Sequence, residues 1–195
     1  MYLVQPTTEF QAAFTRMWNI ITEPAQEVPE GPERRRARLL ASVLLPIIIL
    51  WLVSIPATDV PAVRIESAVE VLFFLVAYVL SRTPFHRLGA FILVATMLAS
   101  TYLALALAGD SQVELAGDIL SIPWLVVILA ASLFSTSVTF LIGLVGLGLI
   151  AASPHVFPVL TPEIVNPLTG LHLAMSALAV ATSASSTANI RQIER

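Results

Sequence analysis

The chain has 195 residues, of which 57% are hydrophobic and 12% are charged, with a net charge of −3 and a mean hydropathy of +0.87. A soluble domain carries about a quarter charged residues, so a soluble core of this length cannot bury the apolar surplus and the composition predicts an integral membrane protein. The absence of cysteine and lysine excludes disulfides, thiolate metal sites and a retinal Schiff base.

Residues 8–22 are predicted to form an amphipathic helix with one apolar face. The residues on this face are Phe10, Phe14, Met17, Trp18 and Ile21. The face is a candidate for docking on a partner, while the inner membrane interface and packing on the protein's own loops are the alternatives. The proline- and glutamate-rich segment 23–33 predicts an extended, solvated linker, so residues 1–33 are expected to be cytoplasmic and residues 34–195 to form the transmembrane domain.

Six apolar stretches follow and predict an all-α bundle of six transmembrane helices. They cover about residues 39–55, 63–80, 88–108, 122–134, 138–152 and 168–188. Residues 119–153 carry no charge, and one helix of that length would be about 50 Å long, against a hydrocarbon core of about 30 Å. We therefore predict two short spans with a turn at 135–137, and a re-entrant pair is the alternative.

The arginines predict the orientation of the bundle. Nine of the ten fall on one side of the six predicted spans: Arg16, Arg34, Arg35, Arg36, Arg38, Arg82, Arg87, Arg191 and Arg195. Arg64 alone falls on the other side. Because loops rich in arginine remain in the cytoplasm, we expect both termini on the cytoplasmic side of a bacterial inner membrane. The basic cluster at 34–38 is interpreted as this topology signal and not as a nucleic-acid site.

Four polar residues form a candidate intramembrane site, namely Arg64, Glu66, Glu70 and His172. Glu66 and Glu70 are four residues apart and share a helix face. A charged carboxylate near mid-membrane costs about 2.5–3.5 kcal/mol on insertion scales, so such residues usually serve a function. The alternative is an interfacial glutamate that reaches water or bonds a neighbouring helix. The three histidines lack the spacing of metal or haem ligands, and no cofactor is expected.

Small residues in the last two spans predict close helix packing. They are Gly143 and Gly146 in the fifth span and Ala174, Ala177, Ala181, Ala184 and Ala188 in the sixth. The alanines recur at steps of three and four, so they line one stripe, which could pack inside the monomer or against a second copy. The chain carries no nucleophile elbow, zinc-protease motif or Walker A loop, and we expect no catalytic activity.

Several segments together resemble a known class of membrane module. They are PERRRARLL at 32–40, RTPFHR at 82–87, IPWLVVILAASLF at 122–134 and RQIER at 191–195. In this order they resemble the six-span N-terminal module of bacterial multi-domain sensor histidine kinases and related receptors. The resemblance covers residues 32–195 and implies sensing or signal transmission through helix association. No output domain follows residue 195, so kinase activity is not expected. The alternative function is an accessory structural subunit of a larger respiratory or photosynthetic complex.

Overall fold

A computed structural model describes residues 7–57, 61–108, 113–157 and 160–193, with side chains except at 7–10, 108, 113–118, 121 and 186–193. The helices are α1 (Thr7–Thr22), α2 (Pro32–Ser54), α3 (Pro61–Ser81), α4 (His86–Ala108), α5 (Val113–Leu133), α6 (Thr136–Val156) and α7 (Pro162–Ile193), with a short 3₁₀ turn at Ile55–Ala57. No strand occurs among the described residues, and the predicted all-α class is confirmed.

Four helices are long and apolar enough to cross a membrane, in agreement with the predicted class of protein. These stretches are Pro32–Ala57, His86–Leu107, Thr136–Val156 and Pro162–Ser185, and a shorter apolar one is Ile122–Leu133. The remaining long helix, α3, has 21 residues but carries Arg64, Glu66 and Glu70. The six predicted spans coincide with α2 to α7, while their number stays a prediction.

The six long helices form two groups of three. In the first group α3 packs against both α2 and α4, and in the second group α5, α6 and α7 pack against one another. Contact between α4 and α5 joins the groups. The first group is centred on Leu44, Phe74 and Leu93. The second is centred on Val127 and Ala130 and includes Val94 of α4, so the apolar cores of the two groups are continuous across the contact between α4 and α5.

Two helices begin earlier than predicted. Helix α2 starts at Pro32 because proline suits the first turn of a helix and Gly31 before it adopts a φ of 98°. The arginine cluster at 34–38 is therefore helical. Helix α5 starts at Val113, nine residues before the predicted start of the fourth span at 122. The turn predicted at 135–137 lies one residue earlier, at 134–135, since α5 ends at Leu133 and α6 begins at Thr136.

The segment predicted to be a solvated linker is packed against the bundle. Pro24 and Val28 are buried. The backbone N–H of Ala25 donates to the carbonyl of Arg82 at 2.8 Å, and the Tyr78 hydroxyl donates to the carbonyl of Ile21 at 2.8 Å. Residues 25–27 and 29–32 remain exposed, so the segment is solvated along most of its length but is anchored to the bundle at Pro24, Ala25 and Val28. The predicted domain boundary at 33/34 falls inside α2.

Ion pairs fasten the same segment to the basic end of the bundle. Glu23 pairs with Arg34 at 2.8 Å and with Arg38 at 3.6 Å. Glu33 pairs with Arg87 at 2.6 Å and with His86 at 2.7 Å. These acidic residues offset part of the positive charge, and they hold the start of α2 beside the connection between α3 and α4.

Candidate functional site

Helices α3 and α4 are in close contact at one end of their interface. A Cβ atom added to Gly89 would lie 2.7 Å from the carbonyl oxygen of Ala77, so only glycine fits at this crossing. Farther along the same pair of helices a groove of about 710 Å³ opens between them. Its wall is almost entirely apolar and includes Phe73, Phe91 and Leu103, which are exposed on the outside of the bundle.

Glu70 lies at the base of this groove and is only 7% exposed. It is nine residues from the start of α3, or about 14 Å at 1.5 Å per residue, which is near the middle of the helix. The indole N–H of Trp51 on α2 donates a hydrogen bond to its Oε2 atom. The sequence left open whether Glu70 reaches water or bonds a neighbouring helix, and the structure shows a bond to a neighbouring helix.

Trp51 is itself held in place by an aromatic contact. Its ring meets that of Phe74 edge to face, with centroids 6.0 Å apart and planes at 85°, a favoured arrangement for aromatic pairs. The rigid indole therefore presents its N–H to Glu70 from the side of the bundle core. Sequence analysis did not identify Trp51 as a site residue, because a tryptophan near a span end normally indicates the membrane interface.

Three further polar residues accompany Glu70 in the groove. Glu66 lies one turn nearer the start of α3, and its Oε1 atom is buried with no hydrogen-bond partner among the described residues. Thr96 and Ser100 on α4 add two hydroxyl groups to the lining of the groove. The groove thus combines two carboxyl groups and two hydroxyl groups with an otherwise apolar wall, a composition suited to an amphipathic molecule.

The other two residues of the predicted polar site lie elsewhere. Arg64 is on the exposed side of α3 and does not line the groove. His172 is fully buried in the second group of helices, between α6 and α7. The structure therefore brings Glu66 and Glu70 together and separates both from Arg64 and His172.

His172 packs against two of the three glycines of α6, Gly143 and Gly146. Its Nε2 atom lies 3.0 Å from the carbonyl oxygen of Gly143. Since a carbonyl only accepts, Nε2 carries the hydrogen, and in the neutral ring Nδ1 is an acceptor that has no partner among the described residues. A Cβ atom added to Gly146 would lie 2.8 Å from the imidazole ring, and one added to Gly143 would lie 3.1 Å from Ser176 Oγ.

The alanine stripe of α7 does not pack inside the monomer. Ala174, Ala177, Ala181 and Ala184 are all exposed, and the side chain of Ala188 lies outside the described part of the chain. The buried face of α7 carries His172, Ser176, Ala179 and Ser183, of which Ser176 is half-buried. This second stripe, about 200° away on the helix, meets α5 and α6, so the alanines with described side chains face away from the other helices of the bundle.

The apolar face of α1 is partly open. Phe14 and Met17 are exposed, while Trp18 and Ile21 are half-buried and the side chain of Phe10 lies outside the described residues. The rings of Phe14 and Trp18 stack at 6.0 Å. Docking of this face on a partner stays a prediction.

No cluster of three potential metal ligands occurs within residues that the structure describes. The chain matches no protein-family model, no curated protein and no solved structure. Its function is therefore inferred from the groove, the buried histidine and the exposed surfaces.

Proposed function

We propose that the protein is a non-catalytic membrane sensing module. The groove between α3 and α4 recognises a molecule dissolved in the membrane, and α7 transmits the response by associating with α7 of a second copy. The burial of Glu70 at the base of a groove that opens on the outside of the bundle carries this proposal.

The chemistry of the groove favours recognition over a purely structural role. An intramembrane carboxyl group is costly, and an apolar side chain of similar size would fill the same space without that cost. Trp51 satisfies part of the hydrogen-bonding capacity of Glu70. The Oε1 atom of Glu66 has no hydrogen-bond partner among the described residues and would accept a hydrogen bond from a ligand once the side chain rotates into the groove.

The length of α7 suits a transmitting element. Its 32 residues span about 48 Å at 1.5 Å per residue, whereas the hydrocarbon core is about 30 Å thick. The helix is continuous past its apolar stretch, which ends at Ser185, to Ile193. A tilt or rotation of α7 in the membrane would therefore displace the segment that follows Ser185.

A chain of helix contacts connects the groove to α7. Helix α4 lines the groove and packs against α5, and α5 packs against α7. The exposed alanines of α7 permit close approach of another helix, whereas they gain nothing from facing lipid. The basic residues at the Arg34 end of the bundle support an orientation with both termini in the cytoplasm of a bacterium.

A cysteine cross-linking experiment tests the proposed association. The native chain contains no cysteine, so Ala181→Cys introduces one thiol on the exposed stripe. We expect a disulfide-linked dimer in isolated membranes after mild oxidation. Leu141→Cys is the matched control, because Leu141 is exposed on α6 at a similar distance from the same end of the bundle. Equal cross-linking at both positions would contradict a specific α7 interface.

A second measurement links this interface to the groove. In the Ala181→Cys background, Glu70→Gln should change the yield of cross-linked dimer at least about threefold, a shift of under 1 kcal/mol in the association. Glu163→Gln, an exposed carboxylate at the start of α7, should leave the yield unchanged. An unchanged yield with Glu70→Gln would separate the groove from signal transmission.

The second candidate function is an accessory structural subunit of a larger respiratory or photosynthetic complex. The open apolar face of α1 favours it, since Phe14 and Met17 are exposed beside the bundle. Such a subunit would co-purify with other proteins at fixed stoichiometry in mild detergent, and deletion of residues 1–22 would abolish that association. A stable homodimer that purifies without other proteins would favour the sensing module.

A further inference from the structure

A second groove lies at the basic end of the bundle. Helices α2 and α7 both border α5, and the space between them is a cavity of about 570 Å³. Its apolar wall consists of Leu39 of α2, Ile128, Ala131 and Phe134 at the end of α5, and Leu178 of α7. This groove is separate from the one between α3 and α4 and is independent of the proposed sensing function.

Two arginines stand at the mouth of this groove. Arg35 and Arg36 line it, and Arg35 is exposed and forms no ion pair with any described residue. Arg36 is 3.7 Å from Glu33, whose carboxylate already has a closer partner in Arg87 at 2.6 Å. The groove therefore joins an apolar wall to two guanidinium groups whose charge is little neutralised.

We propose that this groove is a binding site for an anionic phospholipid. The phosphodiester group accepts hydrogen bonds from Arg35 and Arg36, since the planar guanidinium fork matches the geometry of phosphate oxygens. One acyl chain lies along the apolar wall formed by Leu39, Ile128 and Leu178. The bound lipid fills the gap between α2 and α7 and thereby ties the two groups of helices together.

The neighbouring arginines explain why Arg35 and Arg36 are the residues that bind the headgroup. Arg34 pairs with Glu23 at 2.8 Å, and Arg38 pairs with the same carboxylate at 3.6 Å. These two residues fasten the segment before α2 to the bundle. A soluble phosphate would satisfy the guanidinium groups but would leave the apolar wall uncovered. Basic pockets between transmembrane helices are a recurrent form of lipid headgroup site.

Native mass spectrometry of the purified full chain tests the site. The probes are phosphatidylglycerol and phosphatidylcholine with identical acyl chains, added to the detergent-solubilised protein. The wild-type chain should retain one phosphatidylglycerol in preference to phosphatidylcholine. Arg35→Gln should weaken that retention about tenfold, the effect of losing one charge-assisted hydrogen bond. Arg16→Gln removes the same charge from an exposed position on α1 and should change it little.

Two further arms complete the test. Ser132→Trp places a large ring in the groove without removing either arginine, and it should also displace the lipid while the thermal stability of the protein is retained. Millimolar inorganic phosphate should not compete with phosphatidylglycerol. Equal retention of the two lipids, equal loss with Arg16→Gln and Arg35→Gln, full retention by Ser132→Trp, or competition by phosphate would each overturn the proposal.

Discussion

The two groups of helices differ in how completely they enclose a buried polar residue. Glu70 in the first group and His172 in the second lie at similar depths, about 14 and 15 Å from the starts of α3 and α7 at 1.5 Å per residue. Each has one hydrogen-bond partner on a neighbouring helix, the Trp51 indole for Glu70 and the Gly143 carbonyl for His172. His172 is sealed inside its group, whereas Glu70 lines a groove that opens to the outside.

The positions of the glycines account for this difference. Gly143 and Gly146 lie directly opposite His172 and Ser176, so α6 closes tightly over the polar residues of α7. In the first group the close approach is between Gly89 and Ala77, about two turns from Glu70 along α3. In both groups a glycine lets two helices come into close contact. In the second group that contact lies at His172 and buries it, whereas in the first group it lies away from Glu70, which is left at an open groove.

The largest expected effect is that of Gly89→Ala. The added methyl group would lie 2.7 Å from the backbone carbonyl of Ala77, and a carbonyl within a helix cannot rotate away. We expect a loss of about 3 kcal/mol, at the upper end of the usual cost of overpacking. Thermal unfolding in detergent measures it. The control is Gly170→Ala, which meets no atom within 4 Å. Equal melting temperatures would contradict a close contact between α3 and α4.

A somewhat smaller effect is expected from Gly146→Ala in the second group. Its added methyl group would lie 2.8 Å from the His172 ring, and a side chain can yield more than a backbone can. We expect a loss of about 2 kcal/mol. Gly148→Ala, two residues along the same helix, meets nothing within 4 Å and should be neutral or slightly stabilising.

The double variant Gly146→Ala with His172→Ala isolates the contact. Removing the imidazole frees the space that the new methyl group needs, so the double variant should be less destabilised than the sum of the two single changes. Strict additivity in a double-mutant cycle would show that Gly146 and His172 do not constrain each other, and that His172 is not sealed by the glycine.

The smallest of the three effects is expected from Trp51→Phe. This change retains an aromatic ring against Phe74 but removes the N–H that Glu70 accepts. We expect a loss of about 1 kcal/mol, because the carboxyl group at the groove can recover part of its hydrogen bonding elsewhere. Chemical unfolding monitored by the remaining tryptophans measures it. A loss as large as that of Gly89→Ala would indicate that Glu70 is as tightly enclosed as His172.

Much of the fold could be predicted from the sequence, whereas the site could be predicted only in part. The pair Glu66 and Glu70 was correctly placed on one helix face because a four-residue spacing fixes that relation locally. Trp51, Ser100 and Gly89 were missed, since each acquires its role from a residue on another helix. The anchoring of the linker was missed because the composition of residues 23–33 does not show that Glu23 and Glu33 have partners on α2 and α4.

The sequence by itself determined that this is a helical membrane protein with apolar stretches in these places. Backbone hydrogen bonds within a membrane must close inside each helix, so the apolar stretches alone locate the helices. Only the tertiary structure decided which face of each helix is buried. Helix α7 carries two stripes in which small residues recur at steps of three and four, one through Ala177 and Ala181 and the other through Ser176, Ala179 and the larger His172. The second is buried because Gly143 and Gly146 on α6 leave room for the imidazole, and such complementarity between two helices is not contained in the sequence of either one.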